Sequence, residues 1–250
     1  MTMNFLIAPD FPPENFGGWH LLNKVLQKRT GLSCHLLMPQ DTPEQSQYLE
    51  KDEVSLMYAS PFNAVELIRD RGFVPFARPI GDSTEVVIAA SSEAGIHNVE
   101  DLGEDDLIAL TNNDDVKLIG LRLLEPADLT EDMVEWINAD SYQAVARLLF
   151  QQRAKAGLFL ASAYHSFGKL TKSRLEVLVE SSLKDISHVL VAHPRVPKED
   201  VEKISQVLTS LGQDPKDEHV LADLGLPKGF ERVNQEDAEF MIDLMETLKD

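Results

Sequence analysis

The first third of the chain alternates short apolar runs with helical patterns, and this alternation limits the fold more than any other feature. Four apolar runs predict strands, at Phe5–Ala8, Cys34–Met38, Val54–Ala59 and Phe73–Ala77. Between these runs, apolar residues recur at the spacing of one helix face. This strand–helix order predicts a mostly parallel sheet that is covered by helices on both faces.

The predicted helices have recognisable ends. Gly31 stands where a C-terminal cap is expected, and Gly72 closes the third helix. Thr42 is predicted to cap the second helix, with Pro43 at the first helical position. These signals support the alternation of strands and helices.

A second set of elements follows without a flexible linker, so we expect a second α/β unit beside the first. Helices are predicted to begin near Asn112, at Ser141 and at Pro197, and the acidic tail 235–250 is predicted to be a helix that packs on the first unit. The further predicted strands are Glu85–Ala90, Leu107–Leu110, Val134–Ile137, Ala156–Ala161, Leu175–Val179 and His188–His193.

Composition excludes several classes of function. Lysine and arginine total 23 against 42 aspartates and glutamates, which gives a formal charge of -19. Such a field disfavours nucleic acid and anionic membrane surfaces as partners. No apolar run approaches the roughly 20 residues that cross a bilayer, so we expect no membrane insertion.

Motifs for catalysis, metals and cofactors are not found in the sequence. Cys34 is the single cysteine of 250 residues, which precludes an intramolecular disulfide. The seven histidines show no metal-binding spacing, and no glycine-rich phosphate loop is present. We therefore predict no catalytic residues, no metal and no cofactor.

Four segments carry a resemblance to a known family. The segment 54–64 places a Tyr-x-x-Pro-Phe-like turn between a strand and a helix, and the segments 72–79, 96–102 and 193–197 follow it in the family's order. Together they resemble the phosphate/phosphite/phosphonate-binding proteins of ABC transporters. The resemblance covers nearly the whole chain, and the order of the segments supports it more than any single motif does.

The resemblance implies a type 2 periplasmic-binding fold, in which two α/β lobes with mixed sheets are joined by two hinge strands. Lobe 1 would comprise residues 1–83 and 186–250, with lobe 2, residues 84–185, inserted between them. A protein of this kind closes its lobes over a small-molecule ligand in the cleft between them. The resemblance also implies a partner protein. This partner is an ABC permease, or a sensor protein if closure of the lobes is used for signalling.

We expect the ligand-binding residues in loops at the carboxyl ends of strands, where open α/β sheets bind their ligands. The predicted ligand-binding residues are Asp10, Phe11, Tyr58, Ser60, Glu85, Asn112, Asn113, Asp114, Asp115, Ser141, Tyr142, Ser162 and Tyr164.

The chain departs from the family where the first helix of lobe 2 begins. Phosphonate binders of this family usually have a Ser-Thr-Ser-Gly-like turn there, whereas this chain has Thr-Asn-Asn-Asp-Asp at 111–115. One interpretation is that Asp114 and Asp115 only stabilise the start of a helix. The other is that they pair, with Glu85, with the ammonium group of a cationic or zwitterionic ligand. Phosphate and simple phosphonates are disfavoured, because the carboxylates would repel them.

Two functions from other classes stay open at this point. The same fold serves cytoplasmic enzymes of the menaquinone-pathway and thiamine-precursor types, and it also serves as a ligand-sensing or protein-interaction module. The compartment depends on the start of the chain, because residues 1–10 do not form a signal peptide. We expect a periplasmic protein if a leader was removed, and a cytoplasmic one if the chain is complete as written.

Overall fold

A computed structural model describes residues 2–213 and 215–248. The last two residues of the predicted C-terminal tail, 249 and 250, lie outside these ranges. The chain folds into two compact units. Unit 1 comprises the chain through Ser83 together with Ser187–Glu246, and unit 2 comprises Thr84–Ile186 together with the residues from Thr247 onward.

The strands and helices alternate along most of the described chain. The strands are β1 (Met3–Ile7), β2 (Cys34–Leu37), β3 (Leu56–Ala59), β4 (Val74–Pro79), β5 (Val86–Ser91), β6 (Leu107–Leu110), β7 (Glu135–Asn138), β8 (Ala156–Leu160), β9 (Leu175–Glu180), β10 (Val189–Ala192) and β11 (Phe230–Arg232). The helices are α1 (Phe16–Thr30), α2 (Thr42–Glu50), α3 (Pro61–Arg69), α4 (Asp114–Leu124), α5 (Tyr142–Phe150), α6 (Ala161–Ser166), α7 (Lys169–Lys172), α8 (Lys198–Ser210), α9 (Glu218–Leu224) and α10 (Gln235–Thr247).

Unit 1 contains a mixed sheet in the order β11-β4-β10-β3-β1-β2. Strand β1 pairs in parallel with β2 and with β3, as the strand–helix alternation predicts. Strand β10 lies between β3 and β4 and is antiparallel to both. The consecutive strands β3 and β4 therefore run in the same direction without being neighbours, because a strand from much later in the sequence separates them.

The core of unit 1 forms where the sheet packs against helices α1, α8 and α9. Phe5 and Ile7 from β1 and Leu22 from α1 are almost fully buried in it. The rings of Trp19 and Phe5 pack edge to face, with their centroids 6.4 Å apart. Helix α1 comes so close to α9 that a methyl group on Gly18 would overlap the backbone carbonyl of Asp223.

Unit 2 has its own sheet in the order β7-β6-β8-β5-β9. Strand β6 is parallel to β7 and β8, whereas β5 is antiparallel to β8 and β9. Ile88, Ile108 and Leu158 are fully buried on one face of this sheet, and Phe159 is buried on the other. Two separate apolar clusters cover the two faces, as expected for a sheet with helices on both sides.

Most of the predicted helix ends are found. Gly31 caps α1 with a φ of 73°, and Ser141 caps α5 by accepting a hydrogen bond from the backbone N–H of Ala144. The predicted cap of the second helix is wrong by one residue. Asp41, not Thr42, is the N-cap, because its carboxylate accepts from the backbone N–H of Glu44.

The chain passes between the units next to two short backbone pairings. Ser83 and Ser187 form an isolated antiparallel bridge in unit 1, and Thr84 N–H donates to the carbonyl of Ile186 at 2.7 Å in unit 2. Among the described helices, none combines the length and the apolar character that crossing a bilayer requires.

Candidate functional site

One edge of the unit 1 sheet collects side chains from four neighbouring strands. Asp10 follows β1, Tyr58 lies near the end of β3, and Asp82 follows β4. His188 precedes β10, which runs the other way and therefore begins at this same edge. The sheet order places these strands side by side, so the four residues form a cluster that we call the acidic edge.

Asp10 and His188 are joined directly in the acidic edge. The imidazole Nε2 of His188 lies 2.8 Å from Oδ2 of Asp10, and the two side chains are 16% and 17% exposed. The other carboxylate oxygen, Oδ1 of Asp10, is buried and accepts no hydrogen bond from any residue in the described part of the chain. A buried carboxylate oxygen without a donor is costly, so this atom is suited to accept from a bound molecule.

The two aspartates of the acidic edge have opposite pKa shifts. Burial would raise the pKa of Asp10, but the charge of His188, the hydrogen bond to its ring and a hydrogen bond from the backbone of Asp10 itself more than offset this, and the pKa lies below its usual value. Partial desolvation of its carboxylate by the surrounding protein raises the pKa of Asp82, whereas of the two nearby charges His188 lowers it by more than Asp10 raises it. Asp82 itself is exposed to solvent.

Aromatic rings pack in a row against His188 of the acidic edge. The ring of Tyr58 stacks on the imidazole of His188, with centroids 4.8 Å apart and an interplanar angle of 14°. The ring centroids of Trp19 and Tyr58 are 4.7 Å apart, and those of Phe11 and Trp19 are 6.0 Å apart. Burial, Asp82 and Asp10 all raise the pKa of Tyr58, so the phenol stays neutral.

Ser60 lies at the same edge but has a local structural role. Its hydroxyl accepts from the backbone N–H of Asn63 at 3.3 Å and caps α3. The amide oxygen of Asn63 in turn accepts from the side chain of Gln45 at 2.9 Å. These bonds fix the turn between β3 and α3, which holds Tyr58 in place.

The predicted residues of unit 2 gather at the corresponding edge of its sheet. The parallel strands β6, β7 and β8 end there, and they are followed by the segments 112–115, 141–142 and 162–164 respectively. Asn113 caps α4 by accepting from the backbone N–H of Val116 at 3.0 Å. Asn112 and Asp114 are exposed, whereas Asp115 is buried in the first turn of the helix.

The structure gives Glu85 a bonding pattern within unit 2 that was not predicted from the sequence. Its carboxylate accepts from the hydroxyl of Ser181 and from the backbone N–H groups of Leu183 and Lys184, the last two at 2.9 and 2.8 Å. These bonds tie the start of β5 to the segment after β9. Glu85 thus already has three donors within its own unit.

Two predicted tyrosines of unit 2 pack among apolar side chains. Tyr164 is 6% exposed, and its ring contacts those of Phe159 and Phe167. Tyr142 begins α5 and lies 6.2 Å from Phe159, directly after the capping residue Ser141. Ser162 is exposed in the first turn of α6, the helix that follows β8 directly.

Sequence reasoning missed His188 and Asp82 as members of a site. His188 was predicted only as the start of a strand, and Asp82 only as a residue near the end of the first segment of lobe 1. The signal was available in part, because both are titratable residues next to a strand end. Among residues 2–213 and 215–248, no group of three or more metal-binding side chains is placed to hold an ion.

The fold defines a two-unit α/β protein with a mixed sheet in each unit. A family model described as "ABC transporter, phosphonate, periplasmic substrate-binding protein" matches residues 5–238. The chain therefore belongs to this phosphonate-binding family of ABC-transporter substrate-binding proteins, and the resemblance stated from the sequence is confirmed. No curated protein matches the sequence at a significant level.

Solved structures share the fold along the full chain. PhnD1 from Prochlorococcus marinus, solved with methylphosphonate, has a TM-score of 0.80 at 13% identity and covers 99% of this chain and 98% of its own. The binding component of a phosphonate transporter from Pseudomonas aeruginosa has a TM-score of 0.77 at 16% identity, covering 100% and 89%. A Xanthomonas citri protein solved with ATP has a TM-score of 0.76 at 16% identity, covering 100% and 98%. At these identities the likeness concerns the fold, and it confirms the predicted fold class.

Proposed function

We propose that this protein binds a small solute that carries an ammonium group, and that it delivers this solute to an ABC permease outside the cytoplasm. Delivery to a permease is the general role of its family, whose members are periplasmic substrate-binding proteins of ABC transporters. The choice of an amino-bearing solute is based on the acidic edge of unit 1. The proposal treats the protein as a binding protein and not as an enzyme.

The observation that carries the proposal is the buried Oδ1 atom of Asp10. This oxygen accepts no hydrogen bond from the described residues, and it belongs to a carboxylate that stays ionised because His188 lowers its pKa. An ammonium group offers three N–H donors and a positive charge, so it would satisfy the oxygen directly.

Asp82 supports the same choice of ligand. Its exposed carboxylate follows β4 at the same sheet edge as Asp10, so it would pair with the same cation. A simple oxyanion at this edge would instead meet two carboxylates. This interpretation keeps the ammonium ligand that 111–115 suggested but assigns its recognition to Asp10 and Asp82, because Glu85 already accepts three bonds.

The test compares two probes that differ only in the amino group, 2-aminoethylphosphonate and ethylphosphonate, by isothermal titration calorimetry at neutral pH. We expect the amino compound to bind at least about tenfold more tightly, which corresponds to about 1.4 kcal/mol. In Asp10→Asn this preference should disappear. Asp223→Asn is the matched control, because it removes the same charge from an exposed position on α9 of the same unit.

Equal affinity for the two probes would refute the amino preference while leaving a phosphonate-binding protein. Binding of neither probe, together with binding of another amine in a thermal-shift screen, would keep the amino preference and reject the phosphonate group.

A further inference from the structure

Charge is distributed very unevenly along the chain. The stretch 141–175 contains no aspartate and no glutamate, although the chain as a whole has 42 acidic residues. The same stretch contains three arginines and three lysines, which are Arg147, Arg153, Lys155, Lys169, Lys172 and Arg174. It forms α5, β8, α6 and α7 and leads into β9, so it supplies one continuous part of unit 2. An otherwise strongly acidic protein thus has one basic region.

The arginines of this region differ from all the others in their partners. Each of the seven arginines outside the stretch forms an ion pair with an aspartate or glutamate. Within the described chain, Arg147, Arg153 and Arg174 form none, and all three are exposed. Acidic residues outnumber basic ones, so a lack of carboxylates elsewhere on the protein does not explain this difference. Three guanidinium groups are free to pair with carboxylates from another molecule.

Two of these arginines line an open groove of about 500 Å³. Arg147 comes from the last turn of α5, and Arg174 follows α7. The guanidinium of Arg174 lies 4.0 Å from the centre of the Phe150 ring, so an aromatic face supports it from one side. Phe167 contributes a second ring to the lining of the groove. The groove therefore combines cationic groups with apolar surface.

Several basic residues of this region lie far from the loop 112–115 of unit 2. Arg153 and Lys155 directly precede β8, and Arg174 directly precedes β9. Both strands begin at the edge where the antiparallel β5 ends. The loop 112–115 lies at the opposite edge, because β6 is parallel to β8. Arg153, Lys155 and Arg174 thus lie at the edge opposite to the loop 112–115, although the stretch 141–175 also contains the predicted ligand-binding residues Ser141, Tyr142, Ser162 and Tyr164.

We propose that this basic region of unit 2 is a docking surface for an acidic segment of a partner protein. Arg147 and Arg174 would pair with its carboxylates, while Phe150 and Phe167 contact its apolar groups. Arg153 and the lysines extend the positive surface beyond the groove, so an extended segment fits it better than a small anion. The rest of the protein repels an acidic partner, so charge complementarity directs the partner to this region.

The test measures the fluorescence anisotropy of a fluorescein-labelled polyglutamate peptide with the full-length protein at low ionic strength. We expect binding that weakens as salt is added, because exposed charges are screened. The double variant Arg147→Gln/Arg174→Gln should bind at least about fivefold more weakly, since it removes two exposed ion pairs with the peptide. Lys24→Gln/Lys28→Gln makes the same charge change on the exposed face of α1 and should bind as the wild type does.

Two results would overturn the proposal directly. One is the absence of peptide binding, and the other is an equal loss of peptide affinity in the two double variants. Vesicles of phosphatidylglycerol that bind through Arg147 and Arg174 without peptide binding would instead show a membrane-binding surface. Stabilisation by inorganic phosphate that the arginine variant abolishes, again without peptide binding, would show a small-anion site. Circular dichroism and unchanged solute binding by the arginine variant exclude misfolding as the cause of any loss.

Discussion

The imidazole of His188 and the carboxylate of Asp10 lie 2.8 Å apart, although 178 residues separate them in the sequence. The contact exists because β10 enters the unit 1 sheet between β3 and β4 in the antiparallel direction. It connects the first loop of the chain to the segment that returns from unit 2. The acidic edge, and the proposed recognition of an ammonium group, depend on this one pairing.

Removal of His188 should destabilise the protein through Asp10. In His188→Asn the buried carboxylate loses its hydrogen-bonded partner, and we expect a loss of about 1–3 kcal/mol in the free energy of unfolding. The double variant with Asp10→Asn should lose less than the sum of the single variants, with a coupling of at least about 1 kcal/mol. Urea denaturation of the four proteins measures this coupling. Additive losses would show that the two side chains do not interact.

The stability conferred by Asp10 should depend on pH in a defined direction. The native pKa of Asp10 is lower than its usual value, so the folded protein favours the ionised form. Its contribution is therefore fully present above the unfolded pKa of about 3.9, and it is lost as the pH falls through the native value. The difference in stability between the wild type and Asp10→Asn should shrink below about pH 4. A difference that stays constant down to the acid transition would contradict this shift.

As the pH is lowered, affinity for an amino-bearing probe should begin to fall at a higher pH than it would if Asp82 had the pKa of an ordinary aspartate. The pKa of Asp82 is raised, chiefly because the surrounding protein partly desolvates its carboxylate. A protonated carboxyl no longer attracts a cation. Titrations of 2-aminoethylphosphonate at decreasing pH should therefore show weakening that starts above about pH 3.9. In Asp82→Asn the affinity should be lower at neutral pH, and this part of the pH dependence should be missing. An identical pH profile in the variant would exclude Asp82 from the site.

Two neighbouring glycines of α1 should respond oppositely to alanine. A methyl group at position 18 would overlap the backbone of α9, which is unable to move away easily, so Gly18→Ala should cost about 1–3 kcal/mol or more. A methyl group on Gly17 would meet no other atom within 4 Å, and alanine favours helices by up to about 1 kcal/mol. Thermal denaturation of both variants checks the prediction. Equal effects would mean that α1 and α9 are not in close contact.

Cys34 should resist thiol reagents while the protein is folded. Burial raises its pKa to about 11, and the side chain is 9% exposed. At pH 8 only about a thousandth of such a thiol is ionised, against about a quarter for an ordinary cysteine with a pKa near 8.5. Reaction with Ellman's reagent should be slow in buffer and fast in guanidinium chloride. Rapid labelling of the native protein would show that β2 is open to solvent.

Local patterns in the sequence predicted most of the elements. Leu107–Leu110 was predicted with both ends as observed, and helix capping by Ser141 was predicted from a residue type and its position. The very short strand Phe230–Arg232 was missed, because three residues carry too little periodicity. It pairs with β4, and such a distant pairing has no local signal.

The site was harder to predict than the fold, because its members are brought together by long-range pairing. Asp10 was predicted in the loop after the first strand, where it lies, whereas Tyr58 lies within β3, one residue before its end. The parallel pairing of β1 and β3 brings both to one edge. His188 was missed as a site residue, because its place depends on which strands β10 joins. Glu85 was predicted as a ligand-binding residue from its charge and position, and no local pattern pointed to the bonds from Ser181 and the following backbone.

The central position of β10 has a consequence for the order in which the protein is made. A ribosome that has released only the first 83 residues has produced β3 and β4 but not the strand that separates them. Those strands then have open edges, which favour pairing with other chains. Most of unit 2 is synthesised before β10 emerges, so it has time to fold while unit 1 waits for its central strand. Newly made chains are therefore most exposed to misassembly during synthesis of the inserted unit, when the open edges of β3 and β4 are available to chaperones.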